Sequence, residues 1–208
     1  LALEEGLNCD AMSVGEITLL MKAGFPVERI FFVPNNVAPY ELAFALKNKV
    51  MTSLDSLSQL ELFGEVCNQM NIPAGERKCA VRINPGVGAG HHEKVVTGGK
   101  KTKFGIAEYD IPHIFEIASK YGVRIAGINQ HIGSLFMDPQ PYLDAVTNLL
   151  RIAEGFKDLD FIDFGGGYGI PYHKLDDEKD FPMEDFKARL EPILDDFVAR
   201  YGKAPLFK

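Results

Sequence analysis

Leu159-Asp160-Phe161-Ile162-Asp163-Phe164 runs directly into Gly165-Gly166-Gly167-Tyr168-Gly169. The first six residues read as a buried strand and the next five as a turn at its C-terminal tip. Consecutive glycines let the backbone approach a neighbour closely and take positive φ at little cost. Such a turn leaves backbone N–H groups bare in a tight concavity, which is what a phosphate dianion requires. Taken alone, the stretch is equally well a turn that only needs flexibility. Its meaning depends on where it falls in the chain.

Outward from it, short apolar runs alternate with amphipathic stretches. Strands are predicted at 7–12, 29–33, 49–54, 79–83, 124–129 and 159–164, with helices of about 10–16 residues between them. Ser13-Val14-Gly15-Glu16 and Ser56-Leu57-Ser58-Gln59 each fit a capping box directly after a strand. The segment 142–150 continues an amphipathic pattern, and 183–201 reads as a long helix ending at Gly202. Residues 1–6 resemble the last turns of a helix with Gly6 as C-cap, and 204–208 a strand just beginning. Both ends look cut, so 1–208 is expected to be one domain truncated at each end of a longer protein.

Strict β-α alternation over about six units implies an α/β fold with a parallel sheet. An open doubly wound sheet would carry its phosphate fingerprint after the first strand. Here the glycine run follows the last complete strand, as in a (β/α)8 TIM-type barrel, whose phosphate sites favour the late loops. Such a barrel takes about 250 residues, so this chain holds most of one, short of a strand at each end. No internal repeat or low-complexity segment interrupts the pattern.

The composition excludes several classes. The 208 residues are 46% hydrophobic and 25% charged, with 22 Lys+Arg against 29 Asp+Glu and a net charge of −7. That balance argues against nucleic acid or an anionic membrane as the main partner. No apolar stretch approaches a membrane span and no secretory leader opens the chain, so a cytoplasmic location is expected. Cys9, Cys67 and Cys79 are widely spaced without a CxxC. They read as thiols of a reducing compartment, not a disulfide frame or zinc site.

Polar residues at strand ends are the informative class in a barrel. They are Asp10, Ser13 and Glu16; Asn35 and Asn36; Asp55 and Ser56; Arg82 and Asn84; His131, Gly133 and Ser134; and Asp163 with the glycines. Each has a plain structural alternative. His131 is by default a satisfied structural residue, Arg82 pairs with Glu16 or Asp10, and Ser134 caps the next helix. The long connection from Pro85 to Gly105 is glycine-rich. Its His91-His92-Glu93 lacks a third ligand at sensible spacing, so no metal is expected. Gly86-Val87-Gly88-Ala89-Gly90 has no helix directly after it and reads as loop flexibility.

The ordered set of motifs nonetheless resembles one family. It comprises Asp10-Ala11-Met12-Ser13-Val14-Gly15-Glu16, Asn35-Asn36, Arg82-Ile83-Asn84-Pro85, Thr97-Gly98 leading to Lys103-Phe104-Gly105-Ile106, His131-Ile132-Gly133-Ser134, and Asp163 through Ile170. These are similar, in order and over nearly the whole chain, to the pyridoxal phosphate (PLP) decarboxylases with an alanine-racemase-like barrel. The long connection after Arg82 looks more like the diaminopimelate branch than the ornithine branch. The resemblance implies a PLP-binding barrel and decarboxylation of meso-2,6-diaminopimelate to L-lysine. It implies that His131 stacks on the pyridine ring, and that Ser134, Gly165, Gly166 and Gly167 hold the phosphate. Arg82 and Glu16 would lie beside the ring, with Asp10 supporting them. It also implies a homodimer acting on a small amino acid.

The family's Schiff-base lysine would precede Leu1, and its Glu-Pro-Gly-Arg segment and C-terminal β domain would follow Lys208. The chain alone is therefore expected to be inactive. Asn129 stands where the family often has His, and Leu135 where it often has Gln. Decarboxylases of ornithine, arginine or carboxynorspermidine, a non-catalytic homologue of the same barrel, and an unrelated phosphate-binding barrel enzyme are the alternatives.

Overall fold

The computed structural model describes residues 1–84, 86, 103–172 and 179–208. Strands and helices alternate along them as β1 (Cys9–Ala11), α1 (Val14–Lys22), β2 (Ile30–Phe32), α2 (Pro39–Lys47), β3 (Met51–Leu54), α3 (Leu57–Gln69), β4 (Lys78–Arg82), α4 (Ile111–Tyr121), β5 (Arg124–Asn129), α5 (Gln140–Ala153), β6 (Phe161–Asp163), α6 (Met183–Tyr201) and β7 (Leu206–Phe207). All six expected strands are present, β5 with its expected bounds. The stretch at 204–208 supplies β7. Residues 1–6 form hydrogen-bonded turns, not helix: Leu7 N–H reaches the Ala2 carbonyl (3.0 Å), and Gly6 takes φ +77°.

The chain divides into two compact units. The first comprises Leu1–Arg82 and Tyr109–Ile128, the second Ile83–Glu108 and Asn129–Lys208. In the first, β1 pairs β2, β2 pairs β3 and β3 pairs β4, all parallel. The Arg124 N–H donates to the Arg77 carbonyl (2.9 Å), setting the start of β5 beside the start of β4. Neighbours in the sheet are thus neighbours in the chain. A doubly wound sheet reverses its order partway and does not pair β3 with β4 in this series. Ile30, Phe31 and Phe32 are all buried, as expected of a parallel strand covered on both faces.

The two capping boxes form as the sequence implies, with one shared departure. Ser13 Oγ accepts from the Glu16 N–H (3.2 Å) and Ser56 Oγ from the Gln59 N–H (3.3 Å). The reciprocal bonds reach one residue further back than in the usual box. Glu16 Oε2 accepts from Met12 N–H (2.6 Å), and Gln59 Oε1 from Asp55 N–H (2.7 Å). Each helix start is thereby tied to the tip of the strand before it. Cys67 and Cys79 are buried and Cys9 is partly exposed, all as free thiols. Burial pushes the Cys67 thiol up to about 11, against the opposing effect of Arg77, and raises Cys79 further.

In the second unit, Ile83 N–H donates to the Asn129 carbonyl (2.8 Å), and Gln130 N–H to the Asp163 carbonyl (3.0 Å). β6 pairs β7 in parallel. Helix α5 buries Tyr142, Leu143, Val146, Leu149 and Leu150 at helical spacing. The motif Lys103-Phe104-Gly105 has a packing reason. Gly105 takes φ +78°, and a Cβ there would lie 2.8 Å from the Asn84 nitrogen, where Ile106 bridges to Ile83. Pro85, Val87-Gly88-Ala89-Gly90, His91-His92-Glu93 and Thr97-Gly98 lie outside the described residues. Among the described residues no group of three or more His, Cys, Asp or Glu side chains is placed to hold a metal ion. No helix among them is long and apolar enough to cross a membrane.

Candidate cofactor site

In the first unit the strand ends are joined by a buried polar network. Arg82, at the end of β4 and 6% exposed, donates through Nη1 to Asn35 Oδ1 (3.2 Å). The same nitrogen lies 3.5 Å from Asp55 Oδ1. Gln59 Nε2 donates to the Asn35 carbonyl (3.1 Å) while its Oε1 holds the Asp55 N–H. Burial lowers the Arg82 pKa from its ordinary value and the Asp55 charge opposes that. A buried guanidinium is tolerable only when paired and hydrogen-bonded, which Asp55 and Asn35 accomplish.

Asn35 and Asp55 are thus partners of Arg82 that the sequence, which offered Glu16 or Asp10 as a structural alternative, did not single out. The Glu16 carboxylate is committed to the Met12 N–H at the start of α1, and its side chain is exposed. Asp10 lies on β1 opposite Phe31 and is also exposed. Beside the network is an open cavity of about 420 Å³ lined by Asn35, Ser56, Gln59, Glu61 and Glu65 among others. Two carboxylates on its wall make it unsuited to a phosphate.

The second unit arranges its strand ends differently. After β5 the chain runs through His131 and Ser134, both partly exposed, and the glycine turn after β6 packs against this loop. Gly165 takes φ +72°, and a Cβ there would lie 2.5 Å from the Gln130 carbonyl oxygen and 3.2 Å from His131 Nδ1. Gly167 takes φ +110°, and a Cβ there would overlap the Gly133 carbonyl. Gly166 has an ordinary φ, is exposed, and has open space where a Cβ would go. The outer two glycines are thus demanded by packing and the middle one is not.

Hydrogen bonding sorts the same three residues. Gly165 N–H donates to Asp163 Oδ1 (2.8 Å), and its carbonyl accepts from the Tyr142 hydroxyl (2.7 Å). The Gly167 carbonyl accepts from Phe136 N–H (3.2 Å). The N–H groups of Gly166 and Gly167 and the Ser134 hydroxyl have no partner among the described residues. Ser134 does not cap α5, because Asp138 Oδ1 accepts from Gln140 N–H instead (2.9 Å). Two bare N–H groups and a hydroxyl on abutting loops, with room at Gly166, fit a phosphate dianion.

Three features escaped the sequence. Tyr142 is visible there only as part of an amphipathic helix, yet its hydroxyl reaches the glycine turn. Burial, with Tyr168 beside it, raises the Tyr142 pKa well above its ordinary value, so the hydroxyl stays protonated and donates. Leu135 takes φ +61°, an uncommon conformation for a bulky residue, directly after Ser134. Gln130 is 1% exposed and its side-chain amide has no hydrogen-bond partner among the described residues. Gln59 and Asn35 carried a signal, since both stand at strand ends or caps.

A parallel α/β fold with a phosphate-fitting turn after a late strand defines a class that the comparisons specify. Residues 1–206 match the family described as pyridoxal-dependent decarboxylase, pyridoxal binding domain, and the chain belongs to that family. The chain is 40% identical over 204 residues to a diaminopimelate decarboxylase of Methanothermobacter thermautotrophicus, covering 96% of this chain and 46% of that protein. It is 33% identical over 204 residues to one from Aquifex aeolicus, covering 95% and 47%. The crystal structure of diaminopimelate decarboxylase from Helicobacter pylori complexed with L-lysine superposes with a TM-score of 0.86 at 27% identity, over 99% of this chain and 51% of that one. The fold class is the PLP-binding α/β barrel expected from the sequence, and the chain spans about half the length of the relatives it matches.

Proposed function

We propose that the protein carrying this chain is a PLP-dependent carboxy-lyase that converts meso-2,6-diaminopimelate to L-lysine and CO2. The observation that carries this reading is the turn at Gly166 and Gly167, whose N–H groups, without a partner among the described residues, abut the His131–Ser134 loop. The identity to decarboxylases of that substrate supports the choice within the family. Residues 1–208 are read as part of one barrel domain of a cytoplasmic homodimer.

In this reading Gly166, Gly167 and Ser134 hold the phosphate by neutral donors, with Gly165 shaping the turn. His131 supplies a flat wall for the pyridine ring. For Arg82, Glu16 and Asp10, strand-end and cap residues of the first unit, a place beside the ring rests on the family resemblance alone. Bound PLP supplies an electron sink for the carbanion left when CO2 departs. In this reading the chain's own residues fix and orient the cofactor.

The test is CO2 release from meso-diaminopimelate by the complete protein with PLP, with ornithine and arginine as controls. Release from meso-diaminopimelate alone supports the reading. Release only from a control moves the protein to the polyamine branch, and none from any substrate makes it a non-catalytic homologue.

A further inference from the structure

Gly165 is held on both sides. Its N–H is taken by Asp163 Oδ1 (2.8 Å) and its carbonyl by the Tyr142 hydroxyl (2.7 Å). Tyr142 sits in the first turn of α5 and is 2% exposed. Its ring is fixed independently of the hydroxyl, stacked on Phe136 with centroids 5.3 Å apart and edge-on to Phe186 at 5.5 Å. The hydroxyl is thus carried on a rigid mount. Two bonds on consecutive peptide units fix the orientation of the chain entering Gly166, and the next two N–H groups are the ones without a partner among the described residues.

We propose that Tyr142 and Asp163 are positioning residues that clamp Gly165 and thereby aim the Gly166 and Gly167 N–H groups at a phosphate group. This rests on the reading of the turn as a PLP phosphate cradle. The physical reason is preorganisation. Donors already fixed in place need no reordering when the anion arrives, whereas a free glycine run must be ordered at the moment of binding. Asp163 serves the turn by removing its first N–H from the donor set.

The test uses the complete protein and two ligands, PLP and pyridoxal, which lacks the phosphate. Tyr142→Phe keeps the ring and removes only the hydroxyl. It is expected to weaken PLP about fivefold, the worth of one buried neutral hydrogen bond, and to leave pyridoxal affinity unchanged. Asp163→Ala is expected to give the same phosphate-selective loss, and Asp163→Asn, which keeps an acceptor oxygen, to restore most of it. A merely structural role for Tyr142 lowers the unfolding temperature and weakens both ligands equally, which overturns the clamp. An unchanged ratio of PLP to pyridoxal affinity in both Tyr142→Phe and Asp163→Ala also overturns it. A wild-type protein that binds PLP no better than pyridoxal overturns the cradle and the clamp together.

Discussion

The strand ends of the two units treat polar groups in opposite ways. In the first, Arg82, Asp55, Asn35 and Gln59 bind one another within the protein, and the guanidinium, costly to bury alone, is buried and paired. In the second, the turn after β6 leaves the Gly166 and Gly167 N–H groups without partners among the described residues while closing the bonds on Gly165. A saturated network contributes rigidity. An unsaturated one at an exposed turn leaves its donors open to an anion from solution. The contrast separates strand ends whose polar groups bind one another from strand ends that leave donors open.

The strongest way to break this contrast is inside the glycine run itself. Gly167→Ala puts a Cβ on the Gly133 carbonyl at φ +110° and is expected to cost on the order of 4 kcal/mol, measured by urea unfolding of the complete protein. Gly166→Ala, with open space and an ordinary φ, is expected to stay within about 0.5 kcal/mol of wild type. Equal costs at the two positions would mean that packing does not distinguish the middle glycine from its neighbour.

The network in the first unit comes next. Asp55→Ala leaves a buried guanidinium with Asn35 still bound, so a loss of about 3 kcal/mol is expected, at the low end for a broken buried pair. A loss below about 1 kcal/mol would show that Asp55 is dispensable to Arg82. Ser56→Ala removes one N-cap bond on α3 and is expected to cost about 1 kcal/mol in the same experiment.

The smallest effect sharpens the second unit's side of the comparison. Leu135 holds φ +61° beside Ser134, a conformation that Asn accepts more readily. Leu135→Asn is expected to raise stability by up to about 1 kcal/mol as the strain is released. A loss of that size instead would show that packing of the Leu135 side chain outweighs its backbone strain.

Much of this is legible in the chain. Period and turn residues locate every strand, because parallel strands are short apolar runs and the helices between them keep an amphipathic face. The two Ser caps are visible because a capping box is local, within four residues. The glycine turn is visible as a run, but the unequal duties of its three glycines are not. Those duties are set by Gln130 and Gly133 more than thirty residues away, and by a tyrosine on α5. The partners of Arg82 escape a reading of the sequence for the same reason. Asp10, Glu16 and Asp55 are all acids at strand ends or caps, and only the fold shows that the Glu16 carboxylate is occupied by Met12 N–H while Asp55 lies beside β4's tip.

In the proposed function the turn at Gly166 receives a phosphate. The most direct measurement is the affinity of the complete Gly166→Val protein for PLP and for pyridoxal, alongside its unfolding free energy. Near wild-type folding, PLP binding weakened at least tenfold and unchanged pyridoxal binding are expected. A folded Gly166→Val protein that binds PLP as tightly as wild type would contradict that role, and the turn would then be only a connection leaving β6.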